Sequence, residues 1–431
     1  MAVDACGGQA APPERGRVLS VGTPTSGRDL DALWATHHTE WRDPMGVIAL
    51  WEGVTDPDDA MIRYRVEGAF WEMLARARST LLVTREYEHL ILALRVDASG
   101  TPHITGLRAP HPSGIAYDAA RGHVHIACTR NPNQVLTLMP LGGALDRLDM
   151  GKPDELAAAQ RPLLPVRTTF YPGCLYMHDL ALIGGQLHAN SVGQNAVVRL
   201  YDDGRHERVW YPRCIERRAA DGAPDSPVFG QNHIQLNSIA AGDAPETSYY
   251  SASADEVTEL RPGHPNYPVD KRGVIFSGAT RDVLARGLTR PHSARLHDGA
   301  LWVDNSGYGE LWRVELDGTA HGVARLPGWT RGLCIQDGIA WVGTSRVIPR
   351  FRQYAPGLDV DQSVCGLHAV DIQTGATLGS LIWDAGNQLF AVELVPTTFT
   401  SGLPFPADGT QRRADAETRL FYAYNVERTG A

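Results

Sequence analysis

His178 and His292 head two stretches of the chain that align without gaps, HDLALIGGQLHANSVGQNAVVRLYDDG (178–204) and HSARLHDGALWVDNSGYGELWRVELDG (292–318). Imidazole exchanges a proton, or binds a metal, near neutral pH, so a histidine returning at one repeat position is a candidate for chemistry. The same position in the other copies is Ser113, Asn237, Arg331 and Phe390, with His111, Tyr176, Asp179, His233 and Gln235 a few residues away. Three readings of this set compete. In one, His178, His233 and His292 hold a divalent transition metal (Zn, Fe or Cu) whose bound water is acidified for hydrolysis or elimination. In another, the same groups form a metal-free small-molecule site. In the third they are a structural polar plug, hydrogen-bonded as buried polar groups must be. For the first two, His178 and His292 are the catalytic candidates, with Asp179 or Tyr176 as proton-transfer partner. Arg331 then offers its planar fork to a carboxylate or phosphate, and Asn237, Ser113 and Gln235 hydrogen-bond the substrate.

The elements that position these residues follow from the repeat. A third copy, RGLCIQDGIAWVGTS (331–345), returns the Asp-Gly turn and the Trp-Val pair, and weaker copies begin at Ser113 and Asn237. Each copy alternates apolar and polar residues over short runs split by Gly, Asp and Asn, the pattern of antiparallel hairpins. Four such strands per unit predict an all-β, six-bladed β-propeller over 79–396. Residues 79–108 supply three strands without an inner one, and 388–396 form a strand without a blade. The second is therefore expected to close the ring on the first, removing an exposed sheet edge. Residues 1–78 form an extension whose 66–78 segment has helical spacing and should pack across one end of the ring. In the tail, 397–431, a strand at 419–427 is expected to join an outer edge. Long insertions at 214–231, 254–272 and 346–365 should project over the channel mouth as a substrate wall, and 142–163 from the opposite face. Trp302 and Trp341 read as blade-packing aromatics.

The motifs MHDLAL, QLNSIA, RPHSARLHDGALWVDNSGYGEL, LPGWTRGL, WVGTSRV and CGLHAVDIQTGA resemble a bacterial conserved-hypothetical β-propeller family over about residues 66–396. The resemblance implies the fold, since that family has no agreed activity. In the fourth blade its His-Leu-Asn-Gly pattern is replaced by Gln235-Leu236-Asn237-Ser238, with His233 two residues earlier. More distantly, the architecture is similar to funnel-type propeller enzymes such as lactonases and strictosidine-synthase-like proteins, which implies a metal or acid/base group in the channel.

Composition narrows the class further. Of 431 residues, 40 are Lys or Arg and 49 Asp or Glu, a net charge of −9 with the basic residues scattered. That argues against a nucleic-acid partner or an anionic membrane surface. Six dispersed cysteines without a CxxC pair, no visible secretory signal and no apolar run of membrane-spanning length point to a cytoplasmic protein. Nucleotide-cofactor and nucleophile-elbow motifs are missing. His37-His38-x-Glu40 lacks the spacing of a zinc helix, and Gly142-Gly143 through Gly151-Lys152 lacks that of a phosphate loop. The expected activity is a small-molecule hydrolase, lyase or oxygenase at the channel mouth; a non-catalytic scaffold and a metabolite sensor are the alternatives.

Overall fold

The computed structural model describes residues 59–130, 132–144, 161–216, 229, 232–406 and 424–426. Alternating sequence becomes six antiparallel sheets set around an axis. Blade 1 runs outward from its inner strand as Leu389–Pro396, Ser79–Arg85, Leu90–Val96, Pro102–Arg108 and a short Phe405–Pro406. Blade 2 is Pro112–Asp118, His123–Cys128 and Asn133–Ala144, the last paired with both Leu163–Tyr171 and Tyr424–Val426. Blade 3 is Met177–Ile183, Gln186–Ser191, Ala196–Leu200 and His206–Trp210. Blade 4 is Leu236–Ala240, Tyr249–Ala252, Gly273–Ser277 and Val283–Leu288. Blade 5 is Pro291–His297, Ala300–Asn305, Glu310–Val314 and Ala320–Arg325, and blade 6 is Trp329–Gln336, Ile339–Ser345, Cys365–Asp371, Thr377–Trp383 and an outermost Tyr64–Gly68. Each inner strand touches the next, and that of blade 6 touches that of blade 1, so the ring is closed by the late strand, as its unpaired sequence requires.

The Asp-Gly dipeptides make the inner turns. Asp298 and Gly299 (φ 49° and 75°) and Asp337 and Gly338 (51° and 76°) are both left-handed, the two-residue turn that matches strand twist. Apolar faces meet between blades: Trp341 and Trp302 are buried in separate clusters, each shared with neighbouring strands. The helix Phe70–Ala77 lies against Ser79–Arg85, Leu90–Val96 and Thr377–Trp383, in the seam of blades 6 and 1 rather than across an end. Its Phe70 and Leu74, one turn apart, are fully buried, and Phe70 meets Trp341 edge-on at 5.5 Å. The expected helix began at residue 66, but Val66–Gly68 end a strand because blade 6 offers them an open edge.

Two of the four insertions, 254–272 and 346–365, are described in full. They pack on each other through Tyr267, Val269, Tyr354 and Ala355, and both reach Trp329 at the head of the blade 6 inner strand. The central parts of 142–163 and 214–231 lie outside the described residues, as does His37-His38-x-Glu40.

Candidate functional site

Every blade slips register at the head of its inner strand. The pairing jumps between Pro112 and Ile115, His292 and Arg295, and Thr330 and Leu333, at Asn237, opposite His178–Asp179, and opposite Phe390. Such a bulge re-aims one side chain out of the sheet; in five blades it falls on the mouth position read from the repeat, and in blade 5 it starts directly after His292, which still pairs with Asp304. In blade 2 it needs Gly114, where a Cβ would stand 2.6 Å from the Asp179 Cα.

A second tier lies two residues earlier. His111, Tyr176, Gln235 and Arg290 all have left-handed backbones (φ 43°, 53°, 48° and 53°), which non-glycine residues seldom adopt. Four repetitions at one register make this a property of the fold, and it points a second set of side chains at the mouth.

The two tiers interlock. The His178 ring stacks on that of His292 at 6.4 Å and meets Phe390 edge-on at 5.3 Å and Tyr176 at 4.6 Å. The Arg331 guanidinium carbon lies 3.4 Å from the centre of the Phe390 ring, and its Nη2 donates to His178 Nδ1 at 3.4 Å. With the Gln388 amide oriented to satisfy all its neighbours, its oxygen accepts from Arg331 Nη1 and its nitrogen donates to Glu86 Oε2 and the Tyr87 hydroxyl, each at 3.1 Å. Arg290 Nη1 donates to Gln235 Oε1 at 2.6 Å, while its guanidinium covers Tyr354 at 3.9 Å. Half-buried Arg130 sits 5.1 Å over the Tyr176 ring at the rim.

The hydrogen bonds fix both imidazole tautomers. His292 Nδ1 faces the Arg290 carbonyl at 2.8 Å and Ser306 Oγ at 3.0 Å; a carbonyl only accepts, so Nδ1 carries the proton and Nε2 the lone pair. A guanidinium only donates, so His178 Nδ1 is the bare nitrogen and its Nε2 carries the proton. Burial, then Arg331, Arg130 and Arg290, hold His178 well below the usual imidazole range. Burial, then Arg331, His178 and Arg290, do the same for His292. Both rings are therefore neutral at pH 7. The guanidiniums pay a related penalty: burial brings Arg331 down to about 10 against the pull of Glu86 and Tyr176.

The family described as Domain of unknown function (DUF4915) matches residues 68–402, which span the ring and the seam helix. The chain belongs to this family. No curated protein matches the DUF4915 chain. Among solved structures it is similar to a chain of a nidogen/laminin complex (10% identity, TM-score 0.46, covering 73% of this chain and 98% of that one). It is also similar to a gluconolactonase from Xanthomonas campestris (12%, 0.40, 65% and 78%) and a virginiamycin B lyase from Staphylococcus aureus (10%, 0.35, 74% and 99%).

Not every expected residue of this DUF4915 protein faces the mouth. Both oxygens of Asp179 are taken by Arg295, at 2.9 and 3.3 Å, and by the Leu180 and Ile239 N–H groups, so it is no proton-transfer partner for His178. Ser113 Oγ donates to the Met177 carbonyl at 2.9 Å, tying blade 2 to blade 3. Asn237 donates to the Pro291 carbonyl and Ser253 Oγ, a similar tie to blade 5, and its side chain also hydrogen-bonds His178, so it does border the mouth. His233 lines a cleft of about 930 Å³ with Cys214, Glu216 and Glu259.

The donor set does not fit the expected metal. Among the described residues no three His, Cys, Asp or Glu side chains are placed to hold an ion, so His178, His233 and His292 do not form the three-imidazole set. His178 and His292 instead neighbour Arg331 and Arg290, whose charge repels a cation. Glu86, Tyr87, Arg130, Arg290 and Gln388 were missed by the sequence reading. Arg290, Trp329 and Gln388 were accessible to it, because they occupy the minus-two register that Tyr176 and Gln235 share.

Proposed function

We propose that the channel mouth is the active site of an acid–base enzyme, of lyase or hydrolase type, acting on a small acidic molecule. The observation that carries this reading is the pair of neutral imidazoles locked in opposite tautomers, one offering a lone pair and the other a proton. A carboxylate or phosphate on Arg331 positions the substrate, since the planar fork binds such groups in a fixed orientation. His292 Nε2 takes a proton from the substrate or from a water beside it. His178 Nε2–H hydrogen-bonds the oxygen on which negative charge grows, a task a neutral imidazole performs without prior deprotonation of a competitor. The arginines that weaken His292 as a base are partly neutralised once an anion lies among them, so the base strengthens when substrate is present. The wall of Trp329, Phe351 and Tyr354 excludes water from this exchange.

The test is a panel of small hydroxy acids, amino acids, phosphorylated acids and lactones incubated with the protein in deuterium oxide and followed by NMR. One member is expected to be converted or to exchange a carbon-bound proton. His292→Ala should slow that by about 10²–10⁴-fold while retaining the ligand-induced rise in melting temperature. A ligand that raises the melting temperature of the wild type but is neither converted nor exchanged would make the protein a sensor.

A further inference from the structure

Arg290 has features that the base pair does not require of it. Its side chain belongs to a residue only 3% exposed, its Nε meets no hydrogen-bond acceptor among the described residues, and its electrostatic neighbours are Tyr354, Tyr176 and Tyr267, not carboxylates. Its fork is nevertheless held rigidly. Gln235 and Ser253 accept from Nη1 at 2.6 and 3.3 Å, and the Tyr354 ring backs the guanidinium plane. The backbone that presents it is left-handed, a conformation arginine rarely adopts. A buried, immobilised cation without an anion is costly unless a ligand supplies the missing charge. Arg331, on the adjacent blade, is engaged by Gln388 and His178, and Glu86 reaches it through that glutamine. Each arginine acts on both imidazoles.

We propose that Arg290 is a second anion-binding point of the mouth, so that its ligand is a diacid whose two groups, carboxylate or phosphate, engage Arg331 and Arg290 together. The inference rests on the reading of the mouth as a small-molecule site and names the class of molecule it takes. Arg290 is a binding residue here. Its carbonyl also fixes the His292 tautomer, but substitution of the side chain leaves that carbonyl in place.

The experiment is calorimetric titration of the full chain at low salt, with no turnover required. Butyrate is compared with succinate, and methyl phosphate with phosphonoacetate, so that the carboxylate and phosphate arms are read separately. In at least one arm the diacid should bind about tenfold or more tightly than the monoacid, the worth of one charged hydrogen bond. Arg290→Gln should bring the two to parity, and Arg331→Gln should weaken both. Parity in the wild type, absence of binding in both arms, or full diacid preference in Arg290→Gln overturns the proposal. Should Arg290→Gln not fold, Arg290→Lys replaces it, and the wild-type comparison stands without either variant. Diacid preference together with no conversion or exchange of any member of the panel in deuterium oxide would overturn the acid–base reading alone.

Discussion

Arg290, buried, and Arg295, with a side chain 20% exposed, stand just before and within the inner strand of blade 5, and the protein treats them in opposite ways. Arg295 gives its Nη1 and Nη2 to the two oxygens of Asp179 on blade 3 and also donates to the Ala294 carbonyl. Asp179 accepts in addition from the Ile239 N–H of blade 4, so one ion pair joins three blades. Its charge raises the Arg295 guanidinium above the usual arginine range, whereas burial lowers Arg290. A buried charge that is fully paired serves the architecture. One that is held rigid and left without an anion marks where a ligand belongs.

The largest effect should come from breaking the paired charge. Asp179→Ala leaves the mostly buried Arg295 with backbone carbonyls alone as acceptors, and a loss of about 3 kcal/mol is expected in denaturant unfolding; a loss below about 1 kcal/mol would remove the contrast between the two arginines. Arg290→Met should do the reverse. Removal of an uncompensated cation is expected to leave the ligand-free protein unchanged or more stable by about 0.5–2 kcal/mol, while the extra rise in melting temperature that a diacid gives over a monoacid is lost.

Asp304 gives a smaller effect of the same kind. It occupies in blade 5 the position of Asn190 in blade 3, where the amide oxygen accepts from the backbone N–H of His178 at 3.0 Å and the amide nitrogen donates to the Leu236 carbonyl at 2.7 Å. Neither Asp304 oxygen has a well-aligned hydrogen bond among the described residues, and burial, opposed by the Ser293 hydroxyl, Arg295 and Arg331, raises its carboxyl well above 3.8. The folded state then keeps this proton to higher pH than the unfolded chain, so stability declines as pH rises from about 4 through the folded value. Asp304→Asn should abolish that decline and raise stability at pH 8 by about 1 kcal/mol, read as melting temperatures at pH 5 and pH 8.

The smallest effect lies on the acid side. His368, bonded to Thr344 Oγ1 at 2.9 Å and Ser380 Oγ at 2.8 Å, is lowered by burial to about 4, as is His125. Stability that depends on these neutral rings is complete above about pH 6.5 and is lost as pH falls toward 4. His368→Gln should flatten the melting profile between pH 6.5 and 5; an unchanged slope would show that other groups dominate it.

Much of this protein was legible in the chain because a propeller repeats its own local rules. Period-2 alternation, the Asp-Gly turns and a lone strand at 388–396 were sufficient for six blades and their closure. The mouth register was legible too, since aligned copies place the same strand position at the same radius. The minus-two tier was in the sequence but carries no local mark, because strand periodicity says nothing of the left-handed backbone that four of its six residues adopt. The strand Tyr64–Gly68 went unread because an outermost strand is decided by the open edge it joins.

What the sequence determined by itself is the unit: where strands turn, which residue heads each inner strand, and that His178 and His292 are equivalent. Tertiary structure alone decided which charges are spent and which are kept. Asp179 adjoins His178 in the chain, yet it is consumed by an arginine 116 residues away, while Arg290 makes no ion pair with a carboxylate among the described residues. Ion pairing in a closed ring is a relation between blades distant in sequence, and no periodicity within a blade encodes it.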